Sequence, residues 1–437
     1  MPNDGNEIQI AAHDDEIIVD LNDLTGIQEV LDSSGVSWKR MEKCPRIGLA
    51  LISAGDLGKI PESHTDLDAV SELDRLISYV KRTFAEQHSG REPDIGKNRL
   101  AGSIEGSPYT GGGISGPYTG GGLGGPYTGG AEPVGFTGSG RAGPYTGGGK
   151  SGPYTGGGKS GPYTGGDQGD PQWDDARGGF PERSHPPNPQ VKVGILDTRL
   201  FAHPDLAGRY LADHGTLVPA ATVSTPDSEA HATFIAGVVV TRAPNADLVV
   251  GHVLNAYNIC GSSWDVATKM AAFADAGVSV LNISFGAVTH DDQPPMVLRR
   301  TVQALTASGV VIVAAAGNHG PRQAKMWPAA LKEVIAVGAG ARVPGKKDEF
   351  EVAKFSPHRK WVDLLAPGVG VRSLYKANGY ASWDGTSFSS AVVSGAIAHL
   401  VETQHMTPAQ AVDLLRTPPS LRGKAAADGS IDDIGPA

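Results

Sequence analysis

The sequence predicts an α/β protein: a doubly wound, mostly parallel sheet with helices on both faces, preceded by a small α/β N-terminal module and a glycine-rich repeat linker. Three observations carry this. From Val191 onward, short Val/Ile-rich runs alternate with helix-length patterns. Continuous apolar strands separated by helices belong to parallel sheets covered on both faces. Ahead of that region lies a nine-residue repeat without branched aliphatics, and ahead of the repeat a short stretch with its own strand and helix patterns.

Residues 1–90 form the first unit. Glu16 to Val19 reads as a strand, Asn22 to Asp32 as a helix, and Ile47 to Ile52 as a buried strand. From Asp66 to Phe84, Leu67, Val70, Leu73, Leu76, Ile77, Val80 and Phe84 recur at three- and four-residue spacing, which makes one apolar helix face. Thr65 or Ser63 is positioned to cap it. This unit holds no catalytic constellation, and a regulatory, docking or pro-region role and a purely structural one are both open.

Residues 91–188 read as a flexible linker. Its aromatic position returns at Tyr109, Tyr118, Tyr127, Phe136, Tyr145, Tyr154 and Tyr163, always nine residues on, in units such as Gly152-Pro153-Tyr154-Thr155-Gly156-Gly157-Gly158. So little apolar area does not offset the entropy of ordering. About 60 such residues span on the order of 40 Å, enough for the first unit to reach most of a neighbouring domain. A spacer, a ligand array and a segment that is itself cut are the three readings of the repeat.

Residues 189–422 are the main domain. Its strands are Val191–Leu196, Asp247–Leu254, Val278–Ile283, Val310–Ala315 and Val334–Val337. Its helices are His231–Val240, Trp264–Ala276, Pro295–Ala307 and Thr386–Glu402. Residues 423–437 read as a loose tail of small and acidic residues. The net charge of −10 argues against a nucleic-acid binder and against a surface that seeks anionic lipid. Two distant cysteines, Cys44 and Cys260, make neither a disulfide framework nor a zinc site. The acidic start lacks a secretory-signal pattern, and no run approaches the ~18 apolar residues of a membrane helix. A cytoplasmic protein is therefore expected, with export by another route left open.

In such sheets chemistry gathers at the carboxyl ends of the strands. Asp197 stands there after Val193-Gly194-Ile195-Leu196, and reads equally as a loop cap. His231 opens a small-residue helix; Asp213-His214 is the competing site, but Pro219 interrupts any helix running on from it. Asn318 follows Ala315-Ala316-Gly317 at another strand end, with an amide suited to holding an oxyanion or, more blandly, to a turn. Ser387, in Asp384-Gly385-Thr386-Ser387, stands in a first helical turn, where unpaired N–H groups favour developing negative charge. Taken alone it reads as a cap. Gly385 is expected to use backbone angles closed to other residues.

Together, in the order Asp197, His231, Asn318, Ser387, these motifs resemble those of the subtilisin-like serine peptidases. Asp197-Thr198, His231-x-Thr233-x-x-Ala236-Gly237, Ala315-Ala316-Gly317-Asn318 and Gly385-Thr386-Ser387 carry the resemblance, with Asn282-Ile283-Ser284-Phe285-Gly286 and Leu365-Ala366-Pro367-Gly368 between them. It covers about residues 190 to 420. It implies a serine endopeptidase: Ser387 as nucleophile, His231 as base, Asp197 orienting the imidazole, and Asn318 with the Ser387 N–H holding the oxyanion. It also implies that Ser284, Phe285 and Gly286 pair with an extended polypeptide substrate, that Gly261 and Ser262 form the other flank, and that Gly317 and Met326 lie at the pocket for the residue before the cut. The alternative is a catalytically silent member used as a scaffold. Ala232, Phe234, Ala391 and Val392 depart from the family's usual residues. Val238 to Asn245 links helix to strand directly where many relatives carry a longer loop with calcium ligands, so no cofactor and no tight calcium site is expected. An intramolecular contact of the first unit with the peptidase domain is the remaining partner expectation.

Overall fold

The computed structural model describes residues 12–60, 71–103, 172–174, 191–212, 217–218, 221–222, 224–254, 259–289, 292–343, 350–418 and 433–437. The repeat segment and the Asp213-His214 pair lie outside them.

The N-terminal unit runs β1 (Ala12–Asp20), α1 (Leu24–Ser34), β2 (Ser37–Cys44), β3 (Leu49–Gly55), α2 (Glu72–Gln87) and β4 (Ile95–Ser103). Its strands are antiparallel in the order β4-β1-β3-β2. Two-residue alternation sorts its side chains. Ile17, Val19, Ala50 and Ile52 pack under the helices with Leu76, Val80 and Phe84. Ile18, Leu49 and Leu51 face the other way.

Two boundaries differ from expectation. Helix α2 begins at Glu72 because Ser71 caps it, Oγ accepting from Asp74 N at 3.2 Å; the proposed caps Thr65 and Ser63 lie outside the described residues. Residues 95–103, assigned to the flexible linker, are a strand. Polar and glycine-rich, this stretch looked unable to order itself, but its ladder partners come from β1 and from the main domain.

The second sheet is built from β6 (Lys192–Asp197), β8 (Tyr210–Ala212), β10 (Asp247–His252), β12 (Val280–Ile283), β14 (Val311–Ala315), β15 (Val334–Arg342), β16 (Phe350–Val352), β17 (Leu364–Pro367) and β20 (Gly435–Pro436). Its order is β8-β10-β6-β12-β14-β15-β17-β20, with β16 on β15. All pairs are parallel except those of β16 and β20. Between them lie the short strands β7 (Leu200–Phe201) and β9 (Leu217–Val218), which pair with each other, β11 (Ile259–Ser262) and β13 (Phe285–Gly286). A hairpin, β18 (Val371–Leu374) and β19 (Tyr380–Trp383), takes a third strand, β5 (Gln172–Asp174), from the far end of the residues assigned to the linker.

Helices α3 (His231–Arg242), α6 (Thr386–Gln404) and α7 (Pro408–Arg416) cover one face, and α4 (Ser263–Asp275) and α5 (Met296–Ala307) the other. The glycines of α3 and α6 let helices and hairpin close up: a Cβ on Gly395 would meet Arg242 Cβ at 2.7 Å, and one on Gly237 would meet Leu374 Cγ at 2.6 Å. The tail is not loose throughout. Ile434 is 1% exposed in the core, Asp433 pairs with Arg242, and β20 closes the edge of the sheet. Among the described residues of the tail the apolar anchor is Ile434 alone, too little for periodicity to reveal.

The two units share a core. Ile18, Ile47, Leu49 and Leu51 lie in one cluster with Trp264 and Met270 of α4 and Val297 and Leu298 of α5. Around it, Asn98 Oδ1 accepts from Trp264 N at 3.0 Å, satisfying the start of α4 from outside the domain. Trp264 Nε1 donates to Glu42 Oε2 at 2.9 Å, and Arg300 pairs with Asp20 and Asp94.

Candidate active site

Asp197 ends β6, an interior strand between β10 and β12, and is fully buried. Its Oδ1 accepts from Thr198 N at 2.7 Å and from His231 Nδ1 at 2.6 Å. Its main-chain oxygen accepts from Val253 N and Leu254 N just past β10, so neighbouring strands fix both ends of the residue. An acceptor carboxylate places the imidazole proton on Nδ1 and leaves Nε2 as the basic nitrogen.

His231 is the first residue of α3, entered directly from a 3₁₀ turn, Asp227–Ala230. Thr198 joins this turn to the Asp197 segment: its Oγ1 donates to Glu229 O at 3.1 Å and accepts from Ala232 N at 3.0 Å. Around the imidazole stand Phe388 at 5.8 Å and the edge of Trp383 at 6.1 Å between ring centroids. Phe234, one of the departures, meets Phe388 in a tilted contact at 4.5 Å and Trp383 in a T-shaped one at 5.6 Å. The cluster keeps the base dry on that side.

Ser387 lies in the first turn of α6 and is fully buried; its Oγ donates to Ser284 O at 3.3 Å. Gly385 corrects one expectation. Its φ of 162° is extended backbone open to any residue, so the turn does not depend on a glycine-only conformation. The glycine that needs its freedom is Gly317, with φ of 109° and Gln323 Cδ 2.7 Å from where a Cβ would stand. Gly317 N donates to Thr386 Oγ1 at 3.1 Å. Thr386 N and Oγ1 in turn donate to Asn318 Oδ1 at 3.0 and 2.9 Å. With Oδ1 committed as acceptor, Nδ2 is the end of the amide that donates.

A buried polar chain backs the serine. Ser394 Oγ donates to Asn282 Oδ1, Asn282 Nδ2 to Ser284 Oγ, and Ser284 Oγ to Ser387 O. Ala391 and Val392 lie on this helix in the apolar core.

The residues expected to flank an extended substrate lie on strands β11 and β13. Gly261 and Ser262 lie in β11, where Ser262 also caps α4 in a capping box with Asp265. Phe285 and Gly286 form β13, which continues from Ser284. Met326 lies against Gly286, its Cγ 2.7 Å from where a Cβ would stand. Between the flanks runs β4: Leu100 pairs with Ser262, Gly102 with both Ile259 and Gly286, and Ser103 with Phe285. Its direction is toward Ser284 and the serine.

Trp383, Gln323 and Ser394 were not singled out from the sequence, and Thr198 entered only as the partner of Asp197 in its motif, without a role of its own. For Thr198 the signal existed, in its place beside Asp197; Trp383 and Ser394 act through contacts far apart in the chain, to His231 and Asn282, and Gln323 through the nearby Ala316 carbonyl and His319 N–H. In the link from α3 to β10, Arg209 Nη1 donates to the Pro244 carbonyl at 2.7 Å. Among the described residues no group of three or more His, Cys, Asp or Glu side chains is placed to hold a metal ion. No described helix is long and apolar enough to cross a membrane.

A doubly wound sheet with a carboxylate, an imidazole, an amide and a serine at its strand and helix ends defines the class: an α/β protein of the subtilisin-like fold. Residues 188–428 match the Subtilase family, Peptidase_S8, and the chain belongs to that family. Subtilisin Savinase from Lederbergia lenta is 35% identical over 217 residues, covering 48% of this chain and 75% of the relative. An alkaline protease from Alkalihalobacillus alcalophilus is also 35% identical over 217 residues, covering 48% of this chain and 53% of the relative; the chain thus spans about half the length of that protein. The crystal structure of fervidolysin from Fervidobacterium pennivorans, described as a keratinolytic enzyme related to subtilisin, is alike in fold, with a TM-score of 0.58, 16% identity, and 97% of this chain and 60% of that one covered.

Proposed function

We propose that the chain is a serine endopeptidase. The observation that carries this reading is the Asp197–His231 bond of 2.6 Å beside a helix start that carries Ser387 and is tied to Asn318. Ser387 Oγ attacks the scissile carbonyl carbon while His231 Nε2 takes its proton. Asn318 Nδ2 and the Ser387 N–H hold the oxyanion. Collapse breaks the C–N bond, the imidazolium returns the proton to the leaving amine, and water repeats the cycle on the acyl-enzyme. Ser284, Phe285, Gly286, Gly261 and Ser262 pair with the substrate backbone, and Gly317 and Met326 border an apolar pocket for the residue before the cut. Fluorophosphonate labelling of wild type and of the cleft-opening variant Gly102→Pro, lost in Ser387→Ala, tests this. No labelling in either chain would favour the silent scaffold instead.

A second reading concerns the N-terminal unit, and β4 lying along both cleft flanks favours it. The unit is an intramolecular inhibitor that occupies the place of substrate by strand addition. The Tyr-Thr-Gly-Gly repeat is then a candidate substrate in cis. Equal intact masses for wild type and Ser387→Ala after long incubation would remove it. A cytoplasmic location is tested by cell fractionation.

A further inference from the structure

The strongest polar cluster outside the candidate site joins the histidine arm to the serine arm. Asp227 opens the 3₁₀ turn that delivers His231. Its Oδ1 accepts from both Tyr375 OH and Lys376 Nζ, which sit at the tip of the β18–β19 hairpin. Lys376 Nζ also donates to Thr225 O at 2.7 Å, and Ala377 N donates to Ala221 O at 2.7 Å, so side chains and backbone both cross the gap. The hairpin's second strand runs straight into Asp384-Gly385-Thr386-Ser387.

Burial makes the cluster exacting. Lys376 is 7% exposed and Tyr375 2%. An ammonium taken this far out of water holds its place only while its acceptors hold theirs. Tyr375 further meets Trp383 edge-on at 6.3 Å, and Trp383 meets His231 at 6.1 Å. The turn before His231 therefore has two anchors on opposite sides: Thr198 toward Asp197, and Asp227 toward the serine hairpin.

We infer that Asp227, with Lys376 and Tyr375, is a positioning residue that sets the distance between His231 and Ser387. The inference rests on the peptidase reading. It goes beyond it by assigning three residues that touch neither substrate nor the reacting atoms. Displacing a base by about 1 Å costs on the order of 100-fold in rate, so a tie of this kind acts on turnover and leaves substrate pairing at β11 and β13 intact.

The test uses the full chain carrying Gly102→Pro, with a chromogenic peptide as substrate. Asp227→Ala is expected to lower kcat about 100-fold with KM within about twofold. Asp227→Asn, which keeps the acceptor oxygen, is expected to recover most of that loss, and Tyr375→Phe to lose less than Asp227→Ala. A second readout needs no turnover: the low-field NMR signal of the His231 Nδ1 proton, assigned by its loss in His231→Ala. It is expected to shift or broaden in Asp227→Ala while the thermal midpoint stays above the assay temperature. Unchanged kcat together with an unchanged proton signal would overturn the assignment. If no chain hydrolyses peptide, the peptidase reading fails by itself, and the proton signal alone decides for or against the positioning role.

Discussion

At the scale of single residues, the division of labour around Ser387 makes sharp predictions because each neighbour uses a defined atom. Asn318 spends Oδ1 on Thr386 and keeps Nδ2 as donor. Asn318→Ala removes both, and kcat is expected to fall about 10²–10³-fold with KM little changed, the loss measured for an oxyanion-hole asparagine in subtilisin. Steady-state kinetics on a peptide substrate checks this, and a fall in kcat/KM driven by KM alone would contradict it. Thr386→Val is subtler. It deletes the hydroxyl that Gly317 N and Asn318 share, leaving a buried N–H without its acceptor. A loss of about 1–3 kcal/mol in stability is expected from that group alone, read as a lowered denaturant midpoint. The places of Asp197, His231, Asn318 and Ser387 at strand and helix ends were legible locally, but each alone read as a cap or turn, and only the four motifs together set them apart. Lys376 was not legible: its partner Asp227 lies 149 residues away, and nothing near Lys376 in sequence announces a buried ammonium.

Elements were legible in proportion to how locally their stability arises. Strands β6, β10, β12, β14 and β15 and helices α3 to α6 emerged from apolar runs and helical spacing, most of their ends within a few residues of those read from sequence, whereas the short strands around them did not. Strand β4 did not, since Ile95-Gly96-Lys97-Asn98 carries no alternation and is held by partners elsewhere. One of those partners is α2, through Lys97 Nζ to Asp74 Oδ1 at 2.6 Å. Burial works against the Asp74 carboxylate, but hydrogen bonds from Lys97 and Ser71 prevail and hold its pKa below the ordinary value. A carboxylate lowered in the folded state contributes stability above its unfolded pKa of about 3.9, and that contribution is lost as pH falls through the folded value. The α2–β4 junction is thus expected to weaken only below about pH 4. Asp74→Asn should lower stability at pH 7 and narrow its difference from wild type as the pH is taken toward 2. Thermal unfolding across that range is the measurement; a gap that widens on acidification would reverse the sign.

At the scale of the whole molecule, what holds the N-terminal unit on the peptidase domain decides how it can be released. Ile18, Ile47, Leu49 and Leu51 are buried against α4 and α5, and each such side chain contributes about 1.5–3 kcal/mol. The pairs of Arg300, itself 35% exposed, contribute about 0–1 kcal/mol each. Apolar contact therefore dominates the docking, and the charges set its register. The cleft is a separate matter, because β4 reaches it as one strand paired on both sides. At Gly102, hydrogen-bonding partners stand on either hand, Ile259 in β11 and Gly286 in β13. Proline there has no N–H and its ring does not fit a strand with two neighbours. Gly102→Pro is accordingly expected to free the cleft while the apolar contact keeps the unit docked. Hydrolysis of a small peptide by the full chain should rise tenfold or more, since about 1.4 kcal/mol lost from the strand is a factor of ten in occupancy. The comparison that discriminates is with Leu49→Ala, which thins the docked face at a distance from the cleft. If strand pairing blocks the site, Gly102→Pro activates with little change in the thermal midpoint, whereas Leu49→Ala costs about 2–5 kcal/mol of stability and lowers the midpoint accordingly. A chain whose activity ignores Gly102→Pro, while Ser387→Ala still abolishes it, would mean that β4 shares the cleft with substrate and does not compete for it.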